Sequence, residues 1–463
     1  MPVRSPRQLK RTKFQDLSAN RETADRNLAS LAQLPITVVI GAIWMVLVDS
    51  PRLIQLGPLS ISGAVTVALA VLTLFLLPGY AIPAVTPSSY RRVQSAASSA
   101  QTGVIPWPLW GFLLLLALSL ISTIMAGGFS SEPIQNSCVY LLFVGAIVLA
   151  ASAGSQSVVI RGWELFRTVA TWFAYFSLAI TVVGQVGHTN DRILSILFTP
   201  RGMAMVGLIV LALVIPGAPR NKWMEFAPFA MITAMTLSLS RTSTAVGLAL
   251  MVFLVVRKRS QGSKPKGRGF KALAMIVTVA ASAYLLVLYY APLRDRFLRN
   301  HDAVEIGGLT ISTEGRAKMW GLILSESHEK PFLGHGVGAA SQLITQYYPG
   351  LDHPHNEYLR FYFDFGLIGL GLFAVGYIAI ALRVFRYARR SDHPVHWAAL
   401  IALIGIALVA VTDNAMVYPF VMIPLGSIVG LSFAMRRFEL TEFPSRRTNS
   451  RARKIDDPVA SRK

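Results

Sequence analysis

Charged residues are scarce in this chain, and cysteine is almost absent. Of its 463 residues only 14% are charged and 53% are hydrophobic, with a mean hydropathy of +0.51, whereas an ordinary soluble domain carries about 25% charged residues. A soluble fold of this composition would leave a large apolar area in water, so the composition predicts a membrane protein. The single cysteine, Cys138, excludes an intramolecular disulfide and a cysteine-based metal site.

The chain also lacks the motifs of soluble nucleotide and metal enzymes. It contains no P-loop, no dinucleotide-binding glycine motif, no His-Glu-x-x-His and no Asp-x-Asp pair. These absences argue against nucleotide hydrolysis and against a metal-dependent nucleotide-sugar transferase. We therefore predict a protein without a cofactor and without a metal.

The net charge of +21 would suit nucleic-acid binding, but its distribution suits a membrane better. The basic residues lie in the terminal segments and in alternate short loops between apolar runs, a pattern that orients helices in a membrane. We therefore predict no nucleic-acid partner. The basic tails, 1–30 and 436–463, are both expected in the cytoplasm.

Apolar runs that could cross a bilayer recur along the chain, since a spanning helix needs about 20 mainly apolar residues. The candidate spans are 32–49, 60–80, 105–125, 134–152, 166–187, 202–216, 224–239, 242–257, 271–291, 362–385, 397–412 and 417–435. They predict an all-α polytopic membrane protein with about 12 transmembrane helices. About nine lie in a membrane domain over 31–291 and about three over 362–435.

One connection is much longer and more polar than the others. It covers 292–361 and follows the ninth span, so the alternation of charge predicts that it is extracytoplasmic. Loops of this length usually have a function. The stretch Gly315–Glu326 has the spacing of an amphipathic helix, and Gly334, Gly336 and Gly338 indicate tight turns. We expect the loop to form a small, partly helical cap.

Arg241 lies between two short apolar spans, in the sequence Ser-Leu-Ser-Arg-Thr-Ser at 238–243. An arginine at a membrane boundary is costly unless it is paired or faces water, so it is a candidate functional residue. An arginine that marks a helix end and extends to the interface explains the pattern equally well.

The long loop holds two further candidates. Arg316 is the second residue of the sequence Gly-Arg-Ala-Lys-Met-Trp at 315–320, and its guanidinium could bind a phosphate or carboxylate. A solvated surface arginine is the alternative. His355 immediately precedes the tenth span, where a histidine can accept a proton near neutral pH. Together with His335 and His353 it could instead bind zinc, but their spacing matches no common zinc site.

Four short motifs occur in order around this loop. They are Ser-Arg-Thr at 240–242, Gly-Arg-x-x-x-Trp at 315–320, Pro-Phe-Leu-Gly-His-Gly at 331–336, and His-Asn-x-x-Leu at 355–359 followed by Gly-Leu-Ile-Gly-Leu at 366–370. Together they resemble the O-antigen ligase and polysaccharide polymerase family, which includes the exopolysaccharide polymerases. The resemblance is strongest over about 230–375.

This resemblance implies a membrane glycosyltransferase in the cytoplasmic (inner) membrane of a bacterium. Its donor would be a glycan on undecaprenyl diphosphate, its acceptor a saccharide or glycolipid, and the transfer would invert the anomeric centre without a metal or nucleotide. When the family's motifs are matched to this sequence one by one, its catalytic residues correspond to Arg241, Arg316 and His355. Polymerisation of repeat units is favoured, and other polysaccharide assembly proteins are possible partners.

The sixth span departs from the family pattern, because Thr-Pro-Arg-Gly at 199–202 stands where relatives often have an asparagine. We interpret Arg201 as a partial substitute for it. Arg294 lies early in the loop and competes with Arg316 for the diphosphate. Asn356 and Trp320 are further candidates for binding the diphosphate or glycan.

Two other functions remain open at this point. The first is an O-antigen ligase that transfers the glycan to lipid A core, which needs the same donor and similar residues. The second is a polysaccharide or lipid transporter or flippase. Transporters more often carry charged residues deep within spans, whereas the spans predicted here are nearly free of charge.

Overall fold

The computed structural model describes residues 55–56, 59–81, 105–125, 131–186, 200–238, 240–260, 303–306, 309–312, 316–351 and 353–455. Over these ranges the fold is helical, with two short β-hairpins. The helices are α1 (Ile61–Ala81), α2 (Trp107–Met125), α3 (Ser131–Ala151), α4 (Gln156–Val186), α5 (Pro200–Val214), α6 (Lys222–Leu237), α7 (Arg241–Ser260), α8 (Arg316–Ser327), α9 (Ala339–Tyr347), α10 (Glu357–Arg390), α11 (Pro394–Val409) and α12 (Pro419–Ile455). A 3₁₀ turn, Ala415–Val417, precedes α12.

The hairpins are antiparallel and small. Strands β1 (Gln55–Leu56) and β2 (Leu59–Ser60) pair immediately before α1. Strands β3 (Ala303–Ile306) and β4 (Leu309–Ser312) pair in the long loop, before α8. The sequence pattern predicted neither, because two- and four-residue strands are too short to show an alternation of apolar residues.

Ten of the predicted spans coincide with helices, namely α1 to α7 and α10 to α12, and the spans at 32–49 and 271–291 lie outside the described residues. Five helical segments are long and apolar enough to cross a membrane: α2, α3, Gln156–Gly184, α10 and Pro419–Leu440. Shorter apolar helices include Arg201–Val214 and Pro394–Val409. The chain is therefore a multi-pass helical membrane protein, and the total of 12 spans stays a prediction.

The centre of the bundle is formed by helices that are apolar on every face. In α5 nearly all side chains are buried and in α11 most are, whereas α2 leaves Leu114, Leu118 and Ile121 exposed. Helix α12 packs closely on α3 because Gly426 and Gly430 face the carbonyl oxygens of Phe143 and Ile147. Two glycines four residues apart let helix backbones approach in this way within membranes.

Helix α10 is broken at Gly366, whose φ of 64° and ψ of −170° are not helical. The cap segment 331–338 fills the break. Its Pro331 and Phe332 carbonyl groups accept hydrogen bonds from Leu367 N (2.8 Å) and Ile368 N (3.2 Å). A Cβ atom on Gly366 would overlap the Phe332 backbone, so only glycine fits at this position.

The break in α10 generates the first prediction. We expect Gly366→Ala to lower the melting temperature in detergent by about 3 °C or more, because this positive-φ, extended-ψ conformation costs about 1–3 kcal/mol for a residue other than glycine and the added methyl also meets backbone. Thermal unfolding of the purified protein measures this. Gly371→Ala is the matched control, since it lies in the same helix with no atom within 4 Å of the new Cβ. Equal melting temperatures for the two variants would contradict the proposed fit.

Candidate functional site

His355 lies where three parts of the chain meet. It precedes the N-cap residue of α10 and is the one non-glycine residue with positive φ (52°) among the described residues. Its Nε2 atom is 3.0 Å from Nη1 of Arg201, at the start of α5. Its Nδ1 atom is 3.5 Å from Oδ1 of Asp413, in the turn after α11. A strained backbone conformation that is held by its surroundings is frequent at functional sites.

The hydrogen-bonding capacity of these groups fixes the form of the imidazole. A guanidinium can only donate, so Nε2 of His355 accepts from Arg201 and carries no proton. The ring proton then lies on Nδ1, facing the Asp413 carboxylate. His355 is thus a neutral imidazole whose basic nitrogen is covered by Arg201.

Asp413 was missed by the sequence analysis. Burial raises the pKa of its carboxyl group, but the hydrogen bond from His355 and the positive charge of Arg201 outweigh this, so the pKa lies below its usual value. Asp413 is therefore ionised at neutral pH. The available signal was an acidic residue in the short connection between the last two apolar runs.

The start of α10 is anchored so that His355 is presented at a fixed place. Asn356 caps the helix, and its Oδ1 accepts hydrogen bonds from Tyr358 N and Leu359 N, both at 3.1 Å. The Glu357 N–H donates to the Ala410 carbonyl oxygen at 2.8 Å, next to the turn that carries Asp413. Asn356 thus has a capping role here, and its part in substrate binding stays a prediction.

Arg241 opens α7 at the same end of the bundle as His355. The next residue, Thr242, accepts a hydrogen bond of 2.9 Å from Thr412, which precedes Asp413. Arg241 itself is half-buried. The structure therefore brings the start of α7 to the turn that carries Asp413.

Trp320 and Arg316 lie on α8, as the amphipathic pattern predicted. The Trp320 indole N–H donates to the Pro354 carbonyl oxygen at 2.8 Å, one residue before His355. Arg316 is half-buried and lies one helical turn before Trp320, on the same face and about 6 Å along the axis. Helix α8 is thereby held beside His355. Arg294, the alternative candidate for the diphosphate, lies outside the described residues.

The cap helices share a small apolar core with α10. It consists of Met319 and Ile323 from α8, Ala340 and Ile344 from α9, and Phe363 from α10. His335 stacks on Phe363 with ring centroids 4.3 Å apart. The described part of the long loop therefore packs two helices, α8 and α9, against the start of α10.

A buried ionic network occupies the first turns of α10. Arg360 is 1% exposed and donates to Glu357 and to Tyr140 of α3, and its Nη1 is 3.7 Å from Oδ2 of Asp364. Glu357 and Arg360 precede the predicted span 362–385 and only Asp364 lies within it, so the helix begins earlier than the predicted span and its first turns are charged. The sequence signal was present, since the three charges are spaced three and four residues apart and so share one helix face.

Asp364 connects this network to the cap. Its Oδ2 accepts from the Gly338 N–H at 3.1 Å and its Oδ1 accepts from the Ala340 N–H at 2.8 Å. A carboxylate at these groups caps the N-terminus of α9 and offsets its positive dipole end. The position of the cap is thus tied to the buried arginine.

Three arginines stand in the first turns of helices that begin at this end of the bundle, namely Arg201 of α5, Arg241 of α7 and Arg316 of α8. Within the part of the chain that the structure describes, no group of three or more His, Cys, Asp or Glu side chains could hold a metal ion. Guanidinium groups are well suited to bind the oxygens of a phosphate or diphosphate. The arrangement can therefore bind an anion beside a neutral imidazole.

Comparison with known proteins assigns this region to a family. Residues 226–374 match the family described as O-antigen ligase. A search of the curated proteins finds no match. The matched range includes Arg241, Arg316 and His355, and it covers all four ordered motifs. Over residues 226–374 the chain is therefore similar to the O-antigen ligase family, which confirms the resemblance that the motifs carried.

Proposed function

We propose that this protein transfers a glycan from undecaprenyl diphosphate to a saccharide acceptor at the outer face of the cytoplasmic membrane. The observation that carries the proposal is the cluster of Arg201, His355 and Asp413, in which a neutral imidazole lies between a guanidinium and a carboxylate. The family match supports the reaction class. Polymerisation of repeat units is our preferred form of the reaction.

Arginines would bind the donor diphosphate. Arg201, Arg241 and Arg316 come from three helices that end or begin at the same end of the bundle, where a diphosphate would lie if its lipid tail stayed in the bilayer. Charge-assisted hydrogen bonds hold such a group, and they also stabilise the negative charge that develops as it leaves. No metal is needed for this role.

His355 would accept the proton of the acceptor hydroxyl group. Its Nε2 atom is the unprotonated one, and Arg201 covers it in the absence of substrate. A bound diphosphate would attract the Arg201 guanidinium and so uncover Nε2. Asp413 would hold the Nδ1 proton and stabilise the imidazolium that forms.

The proposed step is one displacement at the anomeric carbon. The acceptor oxygen forms a bond to that carbon, and its proton passes to Nε2 of His355. The bond from the anomeric carbon to the diphosphate oxygen breaks, and the electron pair leaves with the undecaprenyl diphosphate. Attack on the face opposite the leaving group inverts the configuration. The cap would limit hydrolysis by restricting the access of water.

The distribution of basic residues supports an outer location of the site. The opposite end of the bundle carries Arg161 of α4, Lys222 of α6, Arg390 of α10 and Arg437 of α12. An excess of lysine and arginine marks the cytoplasmic side of membrane proteins. We therefore propose that the end with His355 is extracytoplasmic.

A transporter or flippase is the second candidate, and the buried charges of α10 are the observation in its favour. Charged residues within spans frequently mark transport pathways. Here, however, Arg360 is bonded to Glu357 and Tyr140, and Asp364 is bonded to the cap backbone. Groups engaged in this way suit a rigid support better than a moving pathway, so we favour catalysis.

The catalytic assignment is tested by three substitutions. We expect His355→Ala, Arg241→Ala and Arg316→Ala each to lower glycosyl transfer by about 100-fold or more, because proton transfer and charge stabilisation each contribute at least this much. Transfer from a purified lipid-linked oligosaccharide in detergent is the measurement. His328→Ala is the control, since this histidine lies exposed on the same cap. Wild-type rates in all three variants would refute the assignment.

Asp413→Asn tests whether the Asp413 carboxylate supports His355 in catalysis. The amide keeps the shape but loses the negative charge, so we expect turnover to fall about tenfold or more with little change in KM. Since the pKa of Asp413 lies below its usual value, the defect should persist from pH 5 to pH 8. The exposed Asp392→Asn is the control. A variant with normal turnover at every pH would exclude this role.

The acceptor that the protein uses distinguishes a polymerase from a ligase. Purified protein is incubated with one lipid-linked repeat unit, alone or with lipid A core, and the products are separated by size. We expect a ladder of longer glycans without core. Transfer that requires the core would identify a ligase instead, and no covalent product in either mixture would favour transport.

A further inference from the structure

The segment Pro331–Ala340, which lies between α8 and α9 and includes the first two residues of α9, exposes large apolar side chains. Phe332 is 64% exposed and Leu333 is 63% exposed. Phe332 pairs through its backbone with Ile368 of α10, and Leu367 and Ile368 are themselves exposed on the apolar surface of that helix. The apolar face of the segment is therefore continuous with the lipid-facing surface of α10.

The depth of the segment follows from its contacts with α2. The Val337 N–H donates to Ser119 Oγ at 3.0 Å, and Gly336 lies against Thr123. Helix α2 has 19 residues and a length of about 28 Å, close to the hydrocarbon thickness of a bilayer. Ser119 lies about 9 Å from its end at Met125. The segment thus reaches the level of the hydrocarbon rather than the aqueous surface.

Most of the backbone N–H groups of the segment are bonded within the protein, as this environment requires. Each N–H from residue 334 to residue 340 has a protein acceptor, and the acceptors are Lys330 O, Phe363 O, Asp364 O, Ser119 Oγ, Asp364 Oδ2, Gly336 O and Asp364 Oδ1. An irregular loop in water can leave such groups to solvent. Non-helical backbone at membrane depth cannot, because an unpaired group there costs several kcal/mol.

The flanking residues change character where the chain would leave the hydrocarbon. His328, Glu329 and Lys330 precede the segment and are exposed, and Gln342 and Thr345 follow it and are exposed. Three exposed polar or charged side chains thus border the apolar residues Phe332 and Leu333 on their N-terminal side.

We propose that Pro331–Ala340 is a re-entrant segment that dips into the bilayer and presents Phe332 and Leu333 to the lipid acyl chains. Its partner is the lipid of the leaflet at this end of the bundle. The segment anchors α8, and with it Trp320, at the membrane surface. This proposal does not depend on the proposed glycosyl transfer, since it concerns contact with lipid alone.

The single cysteine of the chain allows a direct test. Cys138→Ala provides a cysteine-free background in which Leu333→Cys is labelled with a nitrobenzoxadiazole fluorophore. The protein is reconstituted in phosphatidylethanolamine–phosphatidylglycerol vesicles. Quenching by doxyl groups on the lipid acyl chains reports contact with hydrocarbon, and quenching by aqueous iodide reports contact with water. Thermal unfolding of each labelled protein confirms its fold.

Two labelled positions calibrate the measurement. Val375→Cys lies on the exposed face of α10, well within the span, and Gln346→Cys lies on the exposed face of α9. We expect the ratio of doxyl to iodide quenching at position 333 to be at least fivefold higher than at position 346, and close to that at position 375. A ratio closer to that at position 346 would overturn the proposal.

A charged substitution at Leu333 gives an independent test of whether the segment inserts into the bilayer. Leu333→Glu should displace the segment, so a label at Phe332→Cys in this variant should lose its doxyl quenching. Leu324→Glu changes an exposed leucine of α8 instead and should leave that quenching unchanged. If the label at position 332 is quenched equally by doxyl lipids whether residue 333 is leucine or glutamate, the result would count against insertion.

Discussion

The structure depends on how the break in α10 is closed. A helix interrupted inside a membrane exposes backbone N–H and C=O groups that have no water to bind, and each must find a partner within the protein. At Gly366 the partners come from the cap segment 331–338, which exchanges hydrogen bonds with residues on both sides of the break. The close approach requires glycine at Gly334 and Gly366, since a Cβ at either would meet backbone. The cap and α10 thus form a single unit.

The candidate site is a consequence of this unit. Because the cap is fixed to α10, Trp320 of α8 can hold Pro354, and His355 follows directly. The other side of His355 is fixed by α11, through the bond from the Glu357 N–H to the Ala410 oxygen. An imidazole held from both sides loses little conformational entropy when substrate binds, which favours reaction. Arg201 and Asp413 then determine which nitrogen is basic.

Much of this could be predicted from the sequence, and the remainder could not for a physical reason. Local periodicity and hydropathy predicted helices α1 to α7, α8 and the cap. Motifs of adjacent residues predicted Arg241, Arg316 and His355. Asp413 was missed because its role depends on His355, 58 positions earlier, and one acidic residue in a short loop is too weak a signal to show that role. The break at Gly366 was missed because glycine is common in membrane helices.

The buried charges of α10 explain why a membrane enzyme would keep so costly a feature. Two carboxylates and one guanidinium removed from water are stabilising only if their geometry and hydrogen bonds are good, and apolar residues would often serve stability equally well. Apolar side chains, however, could not accept the Gly338 and Ala340 N–H groups as Asp364 does. The carboxylate must be present to cap α9, and Arg360 must then be present to balance it. The charge network is therefore the cost of attaching a polar cap to an apolar helix, and that attachment is what brings α8 beside His355.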